Sequence, residues 1–319
     1  MLRSTALLRK LAGYAGQLAA VGLVVGVGSA VLTRIVPGDP AISILGTRAT
    51  PESLQALRHE LGTDQSLLVQ VRDSLWRLMH FDLGYSIAQP GQHVSTLIAP
   101  TLSVTLSIVA LTLVLATALG LPLGLAAALS KLRGLDQAIR QLCVVFLACP
   151  PFFAGLLLLL LVALKARLAP AGGWAGSWPQ NLSYLWLPSL ALSVYLIPLI
   201  ARTVRYAAQE ASGELFVEAA ISRGLPGIVV VGRHVLPNSV LPVLTLLGYN
   251  AAALIGGAVV IEAVFALPGI GNQLVQAVQA RDYPVVVGIS IITGMLVVAI
   301  NILTDLLNGA IDPRVRVRD

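Results

Sequence analysis

The sequence predicts an all-α integral membrane protein with six transmembrane helices and a small outer subdomain between the first and the second. Three observations carry that prediction. Charged residues make up 11% of the 319 residues and hydrophobic residues 56%. A soluble domain carries ~25% charged residues, so the apolar surface here calls for lipid rather than water as its solvent. Six apolar stretches reach or approach the ~20 residues that a helix needs to cross the hydrocarbon core. Finally, the stretch Arg34 to Thr96 is too polar to span, yet it lacks the Ser/Gly-rich composition of a disordered linker.

The first stretch runs from Leu11 to Leu32. Arg3, Arg9 and Lys10 before it resemble the charged start of a signal peptide. The uncharged run continues to Arg34, longer than the 7–15 apolar residues of such a segment, and offers no convincing small-x-small cleavage site. It is therefore expected to remain as a helix, with its tail forming region 1–33. The outer subdomain covers 34–96. Within it, Thr50 suits an N-cap, Pro51 a first helical residue and Glu52 a first turn, which predicts a helix over Pro51 to Leu61. A second is expected over Leu67 to Met79.

The core covers 97–319. Its first helix is expected over Leu97 to Leu129, with Gly120 and Gly124 spaced to let another helix approach closely. The next lies between Arg140 and Lys165 and is split by Pro150-Pro151. Cys143 and Cys149 fall in this region without a Cys-x-x-Cys spacing and read as small apolar residues of a membrane helix. The remaining spans are expected over Ser183 to Ala201, Val240 to Ile261 and Pro284 to Thr304. Between the fourth and fifth spans, the inner stretch 202–238 is too polar to cross. Phe216 to Ser222 favours helix, and Gly224 with Pro226 is a stop signal. A short helix lying at the inner surface is the result.

Orientation follows from Lys and Arg. With the N-terminus inside, thirteen of the 21 basic residues fall on the inner side, and five of the rest share the long outer loop that the rule discounts. Both termini are expected in the cytoplasm.

Several chemistries lack their motif. None of Lys10, Lys131 and Lys165 follows a glycine, so there is no phosphate-binding P-loop. There is no H-E-x-x-H and no G-x-S-x-G. His59, His80, His93 and His234 have no metal-ligand spacing. No catalytic residue and no metal site is expected, and the scattered basic charge does not suggest nucleic acid. The spans hold almost no charge in their middles, unlike an ion-coupled carrier. The energy for transport is then expected from elsewhere.

Glu218-Ala219-Ala220 with Gly224, then Arg233-His234-Val235-Leu236-Pro237-Asn238 and Pro242, resembles the EAA loop of binding-protein-dependent ABC importers. Pro37-Gly38-Asp39-Pro40, Leu61-Gly62 with Asp64, and Asp82-Leu83-Gly84 with Ser86 are similar to the peptide/nickel permease branch. So are Gly256-Gly257-Ala258-Val259-Val260-Ile261-Glu262, Phe265, Pro268-Gly269, Gly271, Arg281-Asp282-Tyr283-Pro284, Asn301, Asp305 and Asp312-Pro313-Arg314. The resemblance covers nearly the whole chain and implies a type I ABC importer permease fold of the dipeptide/oligopeptide permease B type in a bacterial inner membrane.

The resemblance also implies the rest of a machine. A second, homologous permease subunit would complete a heterodimer in the lipid bilayer, and two ATP-binding subunits would carry ATP and Mg. An extracytoplasmic solute-binding protein would deliver peptides or nickel/metal-chelate complexes. This chain would bind no cofactor and would not be the catalyst. Glu218, Ala219, Ala220, Arg223 and Gly224 would form the ATPase-coupling helix. Asp39, Asp82, Glu262, Arg281 and Asp282 are expected at the outer gate or the binding-protein contact. Asn301, Asp305 and Asn308 share one helix face and are expected to form a structural polar stripe. The chain departs from the pattern at Ile221, where a basic residue is common, and in the apolar run Ile228 to Val231 after the glycine. The competing reading is a stand-alone secondary carrier or channel.

Overall fold

The computed structural model describes residues 13–25, 27–28, 50–60, 64–66, 69, 72, 76 and 82–311. The predicted helix over 67–79, Asp39, His80 and the 312–314 motif lie wholly or mostly outside these residues. The described chain is helical, and its one β-type pairing is the bridge between Tyr85 and His93. Two compact units emerge, one from Met1–Ser103 with Asn272–Ala299 and one from Val104–Gly271 with Ile300–Asp319.

In the first unit, α1 (Gly13–Val25) is a short apolar helix. Helix α2 (Pro51–Glu60) begins as the sequence predicts. The Ser53 N–H donates to Thr50 Oγ1 at 3.2 Å, which satisfies an amide that the first turn leaves without a partner. A tight loop over 82–93 leads into α3 (Val94–Leu129), an apolar helix of 36 residues that runs on into the second unit. Helices α9 (Ile270–Gln279) and α10 (Tyr283–Ile311) also run through both units. Gly288 of α10 lets Val94 and Ile98 of α3 come close, because a Cβ there would lie 2.6 Å from Val94. Gly294 does the same for Val21 of α1.

The second unit is built on α6 (Leu182–Ser212), which packs against α4 (Arg133–Ala148), α5 (Pro151–Lys165) and α8 (Gly227–Val264). Leu185, Leu192, Leu196, Ile200, Val204 and Ala208 recur at helical spacing and are all buried. Apolar burial brings little net gain between helices in lipid, so close packing and small residues decide the fit. Gly120 and Gly124 of α3 show this. A Cβ at Gly124 would sit 2.5 Å from the Ala201 carbonyl oxygen, and one at Gly120 would sit 2.9 Å from that of Ile197.

Two sequence expectations change. The third span begins before Arg140 and carries the break expected at Pro150-Pro151. It is α4 and α5, bent by 97° at Cys149-Pro150. The two prolines remove successive amide donors, and Pro151 starts the new helix at its first position. The fifth span is longer than Val240 to Ile261, because α8 begins at Gly227. A π turn at Val231–Val235 carries the helix up to Pro237, whose missing N–H would interrupt a regular ladder. Apolar Ile228 to Val231 are thus the start of a long helix, and the connection between α6 and α8 shrinks to 213–226. Among the described residues four helices are long and apolar enough to cross a membrane, or five if α4–α5 is one span.

Candidate functional site: a capped surface helix and two buried carboxylates

The connection between α6 and α8 holds α7 (Leu215–Ser222). Its start is held by the Glu214 carbonyl, which accepts from the Val217 and Glu218 amides at 2.9 and 3.3 Å. Its end is a paired turn. The Gly224 N–H donates to the Ile221 carbonyl at 2.8 Å and the Leu225 N–H to the Ala220 carbonyl at 3.3 Å. This double closure needs a left-handed residue at its centre, and Gly224 supplies it with φ +75°. Val217 and Ala220 point inward against Ala208, Ala211, Val230 and Val235. Glu218, Ala219, Arg223 and Gly224 are exposed, as are Leu215 and Ile221. Neither Glu218 nor Arg223 forms an ion pair among the described residues. The stop predicted from Gly224 is therefore present, and of the three-letter motif only Ala220 is buried.

Glu262, expected at the outer gate or the binding-protein contact, is fully buried. Thr105 Oγ1 donates to its Oε1 at 2.5 Å and the Gly271 N–H to its Oε2 at 2.8 Å. Thr105 in turn accepts from the Ile270 N–H at 2.9 Å. The carboxylate thus sits on the N-terminus of α9, where free amides and the helix dipole favour negative charge. The glycines of the motif now have a reason. A Cβ on Gly269 would lie 2.2 Å from the Glu262 carboxyl, and one on Gly271 would lie 2.4 Å from the Val259 Cα. Gly256 and Gly257, by contrast, meet nothing within 4 Å.

Asp282 is 3% exposed and serves the loop over 82–93. It accepts from the Ser86 hydroxyl and from the amides of Ile87 and Ala88, the last two at 3.1 and 3.2 Å. Two motifs separated by nearly 200 positions thereby become one anchor. The exposed Asp82 accepts from the Gly84 amide at 2.9 Å and shapes the same loop, while Tyr85 and His93 stack at 4.1 Å. Arg281 is exposed with φ +56°. Asp39 lies outside the described residues.

The stripe on α10 is partly joined. Asn308 accepts from Thr245 at 3.1 Å, and Thr304 fills the space that a Gly248 Cβ would need. Asn301 is exposed, as is Asp305. No group of three His, Cys, Asp or Glu that could hold a metal occurs among the described residues.

Two partners escaped the sequence reading. Thr105 carries no signal of its own within an apolar run. Asp136 pairs with Arg205 in two bonds of 2.7 and 3.0 Å. It had a signal, as the one acidic residue between Asp82 and Glu210.

Long apolar helices joined by one short helix closed at both ends define a membrane-embedded class of protein. The chain belongs to the binding-protein-dependent transport system inner membrane components, the family that its residues 120–317 match. Residues 5–109 match the N-terminal region of binding-protein-dependent transport system membrane components. A Brucella abortus (strain 2308) protein named for a peptide transport system permease is 38% identical over 93% of this chain and 95% of its own. The dipeptide transport system permease protein DppB of Lactococcus lactis subsp. cremoris is 33% identical over 89% and 91%. Among solved structures, the inward-facing MetNI methionine ABC transporter aligns with a TM-score of 0.56 at 18% identity, over 68% of this chain and 97% of its own. An amino acid ABC transporter with histidines gives 0.52 at 17% identity, over 68% and 94%. These two likenesses concern the fold.

Proposed function

We propose that this chain is one of two membrane-spanning subunits of an ATP-driven peptide importer and forms half of its passage. The observation that carries the reading is α7. It is a short helix held from below by Val217 and Ala220 and closed at Gly224, and it turns Glu218, Ala219 and Arg223 outward. A helix so fixed can receive a push from a separate ATPase and pass it into α6 and α8. Two ATP-binding subunits, with their ATP and Mg, act at this surface. The chain itself does no catalysis and holds no cofactor. A homologous permease subunit supplies the other half of the passage.

The outer face receives an extracytoplasmic solute-binding protein. Asp39, Asp82 and Arg281 remain residues of the outer gate or the binding-protein contact in this reading, while Glu262 and Asp282 serve it by holding α9 and the loop over 82–93. Asn301, Asp305 and Asn308 act as packing polar groups on α10. The chain crosses a bacterial inner membrane six times, counting the region before residue 33, and keeps both termini inside. Peptide cargo is supported by the names of the Brucella and Lactococcus relatives; nickel or metal-chelate cargo has no such support.

The test is uptake of labelled dipeptide into vesicles that hold this chain, its partner permease, the ATPases and the binding protein. Uptake is expected to vanish with ATPase-dead partners and to survive a protonophore. The reverse pattern would establish the carrier reading in its place.

A further inference from the structure

We propose that Asp136 and Arg205 are a positioning pair for energy coupling, which makes the bent element α4–α5 follow α6 when α7 is displaced. The proposal rests on the importer reading and adds to it a tie inside the chain.

The contact has the geometry of a fixed joint. Arg205 Nε donates to Asp136 Oδ1 at 2.7 Å and Nη2 donates to Oδ2 at 3.0 Å. The two side chains are only 16% and 20% exposed. Two parallel bonds set the plane of the guanidinium against that of the carboxylate, which a single point charge cannot do. Arg140 lies farther away, at 3.5 Å, and is 57% exposed. It adds charge but little direction.

Without this joint α4 has a weak hold. Its buried side chains are Ile139 and Cys143, packed with Ala127 and Ala201. Leu135, Leu142, Val144 and Val145 point outward. Where lipid is as apolar as the helix, such contacts do little to choose one position over another. A directional ion pair does choose.

Its place in the chain supplies the function. Arg205 sits one and two turns before Ala208 and Ala211, the side chains on which Val217 and Ala220 of α7 rest. One helix therefore carries both the seat of α7 and the guanidinium. From Asp136, α4 runs through the 97° bend into α5. There Gly155 lies against Ala191, Ile261 and Phe265. Motion of α6 reaches α4 through the ion pair, so that α4 moves together with α5, which packs on α6 directly.

The experiment uses the complete importer in vesicles and reads peptide transported per ATP hydrolysed. Asp136→Asn and Arg205→Lys are each expected to lower that ratio roughly two- to thirtyfold, the span of effects seen along coupling networks. ATP hydrolysis itself should stay within about twofold, because the ATPase surface is untouched. The exchange variant Asp136→Arg with Arg205→Asp restores a pair of opposite charges and is expected to recover at least part of the ratio. The proposal is overturned if the single variants keep the wild-type ratio. It is equally overturned if uptake and hydrolysis fall together and the exchange variant restores neither, which marks a fold-holding contact only. Failure of the importer reading looks different, because wild-type uptake would then ignore ATPase-dead partners.

Discussion

At the scale of single residues, the two buried carboxylates act as internal anchors, and their neighbours can be ranked by what a methyl group would meet. A Cβ at Gly269 would enter the Glu262 carboxyl, whereas one at Gly257 would enter open space. Gly269→Ala is expected to cost about 1–3 kcal/mol, as overpacking in a closed site does. Gly257→Ala should stay within ~0.5 kcal/mol in the isolated chain. Thermal unfolding of the detergent-purified protein checks both, and equal losses would contradict the site. Asp282 makes a second case. The amides of Ile87 and Ala88 use different oxygens of Asp282, so Asp282→Asn, which replaces one of them by an NH2, leaves one of the two amides without its acceptor, at a cost of about 1–3 kcal/mol. Hydrogen exchange should speed at one of those two amides and remain slow in α6.

At the scale of elements, α7 works as a peg only while its end is closed. Gly224 has nothing within 4 Å of a would-be Cβ, so Gly224→Ala causes backbone strain and no clash. An L-residue in that left-handed conformation costs roughly 1–2 kcal/mol. The unfolding temperature should fall by no more than a few degrees, as a cost of that size does in a chain of this length. Binding-protein-stimulated ATPase activity and uptake are expected to fall, and Gly224→Asn should retain more of both than Gly224→Ala. This stop was legible beforehand because glycine and Pro226 act locally. The start of α8 was not. Arg233, His234 and Pro237 made its first turns look like loop, although Val230 and Val235 are buried in register with α6. Likewise Pro150-Pro151 announced a break in the third span, but no local signal sets its angle. The burial of Glu262 depends on Thr105, 157 positions away, and Asp136 could have chosen Arg140, Arg202 or Arg205 on sequence grounds alone.

At the scale of the whole molecule, the basic residues predict a topology that labelling can test. The surface helix α7 and the loop over 82–93 should lie on opposite sides of the membrane. Both carry exposed polar residues suited to a probe, Ser222 in α7 and Gln89 in the loop. Cys143 and Cys149 are both free thiols, so they must first be replaced by Ala and Ser. An impermeant maleimide applied to intact cells is expected to label Gln89→Cys and to leave Ser222→Cys untouched until the membrane is opened. The charge count leans on the short inner segments around Lys131, Arg202 and Arg233, which bear more weight in orientation than the long outer loop. Labelling of Ser222→Cys from outside would reverse the chain and remove α7 from any cytoplasmic ATPase. Labelling of neither position before opening would place the loop over 82–93 inside as well, and the six-span count would fall with it.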